Sequence, residues 1–383
     1  MTYGHLMRTM ICERFGVEFP LFAFSHCRDV VAAVTNAGGF GVLGAVAYSP
    51  EQLDTELSWI DEHVGGRPYG VDVLVPGRID ASAANRNTSL TDHIPQRHRD
   101  FVAHLLGKYG VGGAEAFTRA TADYADEMGR QVTAEGAIGL IDVALKHPIG
   151  LIASALGPPP PEMTAKARQA GVPVAALVGT VEHARRQVAA GADVIVAQGS
   201  EAGGHTGEIS TMVLVPQVVD AVDVPVLAAG GIAGGRQMAA ALALGAEGVW
   251  CGSVWLTTEE AETLPLVKQK MLAATSSDTV RSRSRTGKPA RQLRSAWTDE
   301  WDGAPESPGA LPMPLQMLLA EGAMARIGKA AESGSPGAGE LATYFVGQVV
   351  GQMNQIRPAR RVVHDMIEEF ATAVERLDRL TGT

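Results

Sequence analysis

ADVIVAQGSEAGGHTG (residues 192–207), VPVLAAGGIAGGRQMAAALALG (224–245) and GVWCGS (248–253) decide the fold class of this chain. Each opens with a short run of apolar, small or β-branched residues and then breaks into glycine. That is the pattern of a strand buried on both faces that ends in a tight turn. The second turn leads into the Ala-rich helical stretch Gln237–Leu244. Working outward, similar runs stand at Phe19–Phe24, Phe40–Leu43, Tyr69–Val75, Ile149–Ala155 and Val174–Val178. Helical stretches separate them. Ser49-Pro50-Glu51-Gln52 reads as a capping box with proline in the first turn. Thr180 opens another helix that stops at Gly191. Strand–helix units in this number predict an α/β fold, a (β/α)8 TIM barrel, with a doubly wound open sheet as the alternative topology.

Two regions interrupt the alternation. The stretch after the third strand, Pro76 to His147, is far longer than an ordinary connection and is polar and helical in character. It is expected to form a helical insertion, a lid over the barrel mouth, at residues 77–147. The barrel itself is then assigned to 1–76 and 148–290. The remainder, 291–383, carries a Gly/Ser/Pro linker (Glu332–Gly339) and two helical runs, Leu341–Ile356 and Ala359–Leu380. It reads as a C-terminal helical extension packed on the barrel.

Composition narrows the function classes. The 383 residues are 46% hydrophobic and 19% charged, enough for a large core. A formal net charge of −10 gives no general attraction for nucleic acid. No apolar run reaches the roughly 18 residues of a membrane span, and the N-terminal stretch lacks a signal-peptide core. A cytoplasmic protein without membrane or nucleic-acid partners is expected. Cys12, Cys27 and Cys251 are far apart and form no CxxC pair, so neither disulfide nor metal site is expected.

Barrel active sites lie at the C-terminal strand ends. After the sixth strand comes Gln198-Gly199-Ser200-Glu201-Ala202-Gly203-Gly204-His205-Thr206-Gly207. Glycines there permit close backbone approach to a flat ligand, and His205 is suited to proton transfer near neutral pH. The bland alternative is a loop histidine bonded to its own backbone. After the seventh strand, Gly230, Gly231, Gly234 and Gly235 open a helix, whose N–H groups favour a phosphate. Gly252 and Ser253 end the eighth strand. Loops after strands seven and eight are a recurring phosphate site in such barrels.

The segments QGSEAGGHTG, AAGGIAGG…ALALGAEGVWCGS and NAGGFGVLG resemble the nitronate monooxygenase (nitropropane dioxygenase) family of FMN-dependent barrels, related to flavin-dependent enoyl-thioester and quinone reductases. The likeness runs from about Phe19 to Arg291, with a weaker echo in Val346–Arg361. It implies His205 as catalytic base, Gln198, Gly203 and Gly204 as flavin contacts, and Gly230, Gly231, Gly252 and Ser253 as the phosphate cradle. It places the backbone of Ala23, Phe24 and Ser25 against the isoalloxazine. Departures from the family pattern stand out. Ala23-Phe24-Ser25 replaces the usual Ala-Pro-Met, Asp72 replaces an asparagine in the third strand, and Ser154-Ala155-Leu156-Gly157-Pro158 replaces an aromatic/His pair.

The implied activity is oxidation of alkyl nitronates or nitroalkanes with O2 to a carbonyl compound and nitrite. The alternative is NAD(P)H-dependent reduction of an enoyl or keto thioester or a quinone, with His205 as proton donor. A homodimer is possible on either reading. His26 is either a second acid/base group or a helix-start residue. Arg281, Arg283, Arg285, Lys288 and Arg291 read as a solvated basic face rather than an anion-binding rim. Tyr69, Trp250, Trp255 and Tyr344 read as core or pocket walls.

Overall fold

The structure, a computed structural model, describes residues 7–74, 90–112 and 134–382. Residues 75–89 and 113–133, and with them much of the expected 77–147 insertion, lie outside the described residues. Eight parallel strands close into a barrel: β1 (Leu21–Ser25), β2 (Phe40–Gly44), β3 (Gly70–Leu74), β4 (Leu151–Ala155), β5 (Val174–Val178), β6 (Val194–Gln198), β8 (Val226–Ala229) and β9 (Gly248–Cys251). Closure runs through β1 and β9, where Phe22 pairs with Trp250 and Ala23 with Cys251. The two-residue β7 (Gly204–His205) belongs to a separate antiparallel sheet with β10 (Thr279–Ser282) and β11 (Ala290–Leu293).

Alternation along each strand sorts side chains between the barrel lumen and the helix layer. The lumen holds Phe22, Phe40, Val42, Leu151, Ala153, Ala175, Val194, Val196, Leu227, Ala229 and Trp250. Helix α1 (Met10–Phe15) plugs the N-terminal end with Ile11 and Phe15. Phe22 stacks on Phe40 at 4.7 Å and lies parallel to Trp250 at 6.1 Å, with Phe15 edge-on to both phenyl rings. Such ring pairs add about 0.5–1.5 kcal/mol each beyond area burial. Few aromatics are present, and this plug concentrates four of them under the mouth.

The outer helices follow the strands: α2 (Arg28–Asn36), α3 (Pro50–His63), then α4 (Gln96–Lys108) and α5 (Ala134–Ala144) after β3. Next come α6 (Pro161–Gln169), α7 (Val181–Ala189), α8 (Thr211–Val219) and α9 (Gly235–Ala243). The capping box at Ser49 forms: Gln52 N–H donates to Ser49 Oγ at 3.2 Å and Ser49 N–H to Gln52 Oε1 at 2.8 Å. Thr180 Oγ1 likewise accepts from His183 N–H.

Beyond β9 come α10 (Pro265–Ala273), α11 (Ala296–Gly303), α12 (Leu315–Glu332), α13 (Pro336–Leu341) and α14 (Ala359–Thr381). With α4, helices α10 to α13 bury a second core around Trp297, Trp301, Leu319 and Leu341, against which Val46 and Leu74 of the strand ends pack. Helix α14 does something else. It lies against α9 and α2, where the eighth outer helix of the ring belongs. Gly235 makes this contact possible, because a Cβ there would run into the Met366 carbonyl and the Phe370 amide.

The expected helix over Leu341–Ile356 is a correction. After α13 the chain is extended, with only a 3₁₀ turn at Gln348–Gln352. Val346 and Gly347 lie backbone to backbone against Gly203, a contact a helix in that stretch would preclude. Among the described residues no helix is long and apolar enough to cross a membrane.

Candidate active site

The C-terminal strand ends bring Phe24, Gly44, Asp72, Gln198, Trp250 and Gly252 onto the lumen side of the mouth, by register with the buried inner residues. Phe24 stacks on Trp250 at 6.3 Å and forms a half-buried floor. Gly44 leaves room for two rings, since a Cβ there would sit 2.6 Å from His26 and 2.9 Å from Phe24. His26 is thereby placed at the mouth, with Nδ1 3.0 Å from the Gly44 carbonyl. Its ring keeps an exposed edge, and the protein packed around it desolvates the charged form and lowers its pKa. Ala23 and Ser154 point the other way. Ala23 joins the barrel–helix core, and Ser154 is fully buried with an Oγ that finds no partner.

His205 is fixed by strand pairing rather than left in a mobile loop. Ala290 of β11 pairs with His205, and Arg291 pairs with Gly204. Its Nε2 lies 2.8 Å from Thr286 Oγ1. The Thr286 hydroxyl can donate to the Lys288 carbonyl at 3.2 Å. In that arrangement Nε2 carries the ring proton and Nδ1 is the free proton acceptor. Desolvation, and secondly the charge of Lys288, push the His205 pKa down to about 4. The imidazole is therefore neutral at working pH.

The basic run is a solvated face only at Arg283 and Lys288. Arg291 donates to the Ser200 carbonyl at 2.9 Å and Arg281 to the Thr206 carbonyl at 3.2 Å, so the β10–β11 hairpin staples the His205 loop from both sides. Arg285 is buried, pairs with Glu321 of α12 at 2.6 Å, and covers the Phe345 ring at 5.0 Å. Phe345 in turn lies 6.3 Å from the His205 ring. Arg283 is exposed and bonds the Gly287 carbonyl. Lys288 is exposed, beside His205, and has no ion-pair partner among the described residues.

The glycines divide by what surrounds them. Gly230 and Gly231 have φ of 92° and 73°, a conformation that side chains resist, and Gly231 faces open space but for the Glu201 side chain at 3.6 Å. Gly204 also has positive φ with nothing near it. Gly203 is different: a Cβ would lie 2.8 Å from the Val346 carbonyl carbon, so its bareness serves protein packing. Ser253 Oγ accepts from Gly347 N–H at 2.8 Å, which leaves its own O–H free to donate. The N-terminus of α9 does not match expectation. Glu369 of α14 occupies it, accepting from Gly235 N–H at 2.9 Å. A protein carboxylate thus takes the place read as open to phosphate, and of the expected cradle Gly230, Gly231, Gly252 and Ser253 remain clear of Glu369.

Tyr69 and Trp255 are fully buried core residues, Tyr69 donating to Asp61 and Trp255 to the Cys251 carbonyl. Tyr344 is a half-buried wall whose phenol is raised in pKa by burial. Sequence reading missed Thr286, Glu321, Phe345, Gly347 and Glu369. The weak echo in Val346–Arg361 was the one available signal for Gly347; the others carry no local pattern. Cys27, Asp29 and Glu262 bring possible ligand atoms within 4.8 Å of one another, but Cys27 Sγ already donates to the Glu260 carbonyl at 3.0 Å.

A nitronate monooxygenase family model matches residues 15–369, nearly all of this architecture. The chain belongs to the nitronate monooxygenase family. It is a flavin-dependent oxidoreductase. It is similar to the "Putative monooxygenase Rv1533" of Mycobacterium tuberculosis, 61% identical over 98% of this chain and 99% of that one. It is 30% identical to a "Probable nitronate monooxygenase" of Staphylococcus saprophyticus, over 75% of this chain and 79% of that one. Among solved structures, nitroalkane oxidase from Streptomyces ansochromogenes aligns with a TM-score of 0.77 at 27% identity, covering 96% of this chain and 99% of that one. FabK from Thermotoga maritima aligns with 0.70 at 26%, covering 98% and 99%.

Proposed function

We propose that this member of the family oxidises alkyl nitronates, or the nitroalkanes from which they derive, with O2 to a carbonyl compound and nitrite, using FMN. The observation that carries the reading is His205: a neutral imidazole, locked by β11 and Thr286, with the nearby Arg285 already paired to Glu321. A neutral nitroalkane needs its α-proton removed, and the lone pair of His205 is available for that. A nitronate has already lost this proton, and its negative charge then finds Lys288 beside the imidazole.

The residues at the mouth fit a flavin. Gly230, Gly231, Gly252 and Ser253 supply backbone N–H groups and one free hydroxyl for a phosphate. Gln198 and Asp72 offer polar atoms from the lumen face, and the backbone of Ala23, Phe24 and Ser25 ends beside the Phe24–Trp250 floor. Ser154 faces away, so any contribution from it is to strand packing. The bound cofactor supplies the electron acceptor. The chain binds it, shields it and handles the proton.

FMN is favoured over FAD because one phosphate cradle is present and no strand-following G-x-G-x-x-G marks an adenylate half. On the same reading the lid expected over 77–147 is represented by α4, which packs into the cap core above the strand ends, whereas α5 packs with α3 and β3 in the outer layer of the barrel. Helices α10 to α13 form the rest of that cover. Oxygen uptake with a panel of nitronates, beside NADH and NADPH oxidation, tests the assignment. Uptake dependent on nitronate supports it, whereas nicotinamide oxidation driven by an enoyl thioester replaces it with the reductase reading.

A further inference from the structure

We infer that Asp72 works as a neutral carboxylic acid which donates its proton to the polar edge of the bound flavin, so that an acid does the work of the amide the family pattern carries there. This inference rests on the flavin reading above and assigns a role to a residue in which this chain departs from its relatives.

Geometry comes first. Asp72 pairs with Gly44 on β2 and with Ala153 on β4, and Ala153 faces the lumen. Alternation therefore turns the Asp72 side chain inward, above the aromatic plug. Neither neighbour in its layer has a polar side-chain atom. Asp72 is only 6% exposed, and its carboxyl has no hydrogen bond or ion pair among the described residues.

The titratable groups described above at the strand ends are otherwise engaged. From the β1 end, the His26 ring packs over Gly44 and bonds its carbonyl. From α12, Glu321 is held by Arg285. From β11 and the preceding turn, Lys288 acts on His205. From β4, nothing titratable faces it, and the shift of Asp72 comes from burial, with no charged group contributing.

An ionised carboxylate in such a place loses its hydration and gains nothing in return. Burial raises the Asp72 pKa to about 8, so the protonated form prevails at neutral pH. A carboxylate accepts only, but a carboxylic acid presents a donor beside an acceptor, as a primary amide does with one of its two N–H groups. The carboxyl keeps a little solvent contact at the mouth, so a ligand that covers it must offer an acceptor or leave a buried donor unused, at a cost of about 1–3 kcal/mol. The carbonyl and imine edge of an isoalloxazine is such an acceptor, and an aliphatic or purely cationic ligand is not.

The test is the FMN dissociation constant between pH 6 and 9.5 for the wild-type chain and for Asp72→Asn, read by quenching of FMN fluorescence. FMN's own ionisations affect both proteins alike, so their ratio isolates Asp72. We expect equal affinities at pH 6 and a wild type about tenfold weaker than Asp72→Asn at pH 9, one unit above the pKa. A carboxylic C=O infrared band should be present at pH 7 in the flavin-free wild type, fade above pH 8, and be missing from Asp72→Asn. Parallel pH profiles, or no such band, overturn the inference while leaving the flavin reading intact. If neither protein binds FMN at any pH, the flavin reading fails and this inference falls with it.

Discussion

An ordinary histidine base, with a pKa near 6.5, would leave the enzyme about tenfold less active toward a neutral nitroalkane at pH 5.5 than at pH 7.5. His205 is not in an ordinary setting. Desolvation and Lys288 hold its pKa at about 4, so the imidazole stays deprotonated across that whole interval. The kcat/KM ratio between pH 5.5 and 7.5 should therefore be about 1, with the acid limb near pH 4. The sign is fixed by the chemistry: protonation destroys the base, so activity falls as pH drops through this limb. Replacing Lys288 by Gln removes the second cause of the depression and should move the limb upward. His205→Asn should retain FMN yet lose roughly 10²–10⁴ in turnover of a neutral nitroalkane. It should lose less with a preformed nitronate, from which no proton is taken. Steady-state oxygen uptake over pH 4–8 measures all of this. A wild-type limb near pH 6.5, or full nitroalkane activity in His205→Asn, refutes the assignment of His205 as a desolvated base.

Three further outcomes follow from particular contacts. Thr286→Val should lower kcat about three- to tenfold through loss of the hydrogen bond that fixes the His205 tautomer, while Thr286→Ser restores it and KM stays put; equal rates in both variants would place the base elsewhere. Gly231→Val forces a side chain into φ of 73°, a strain of about 1–2 kcal/mol, beside the phosphate cradle. The ratio of visible to ultraviolet absorbance should drop while circular dichroism is unchanged, and an undiminished ratio counts against the cradle. Gly235→Ala drives a methyl into the backbone of α14 and should cost about 1–3 kcal/mol, seen as a lower Tm; an unaltered Tm would mean that α14 is not seated on α9.

The barrel was legible because each of its strands is a short apolar run closed by glycine or a polar turn, and the repeat of that pattern leaves few topologies. Boundaries such as Val174–Val178 coincide in the sequence and in the structure. What stayed hidden depends on contacts distant in sequence. Nothing local in RSRSRTGKPAR shows that Arg281 and Arg291 reach carbonyls some eighty residues earlier, or that Arg285 is buried against Glu321. Likewise Gly234-Gly235 reads as an open helix start until Glu369 arrives from the other end of the chain. The run Leu341–Ile356 is apolar enough for a helix, but tertiary contact with Gly203 and Ser253 holds it extended.

Anaerobic mixing of the FMN-loaded protein with an alkyl nitronate tests the central claim most directly. The account predicts that the visible absorbance of the flavin is bleached by nitronate alone and returns on admission of O2, with nitrite and a carbonyl compound formed. A flavin indifferent to every nitronate tried, yet promptly bleached by NADH or NADPH, would contradict it.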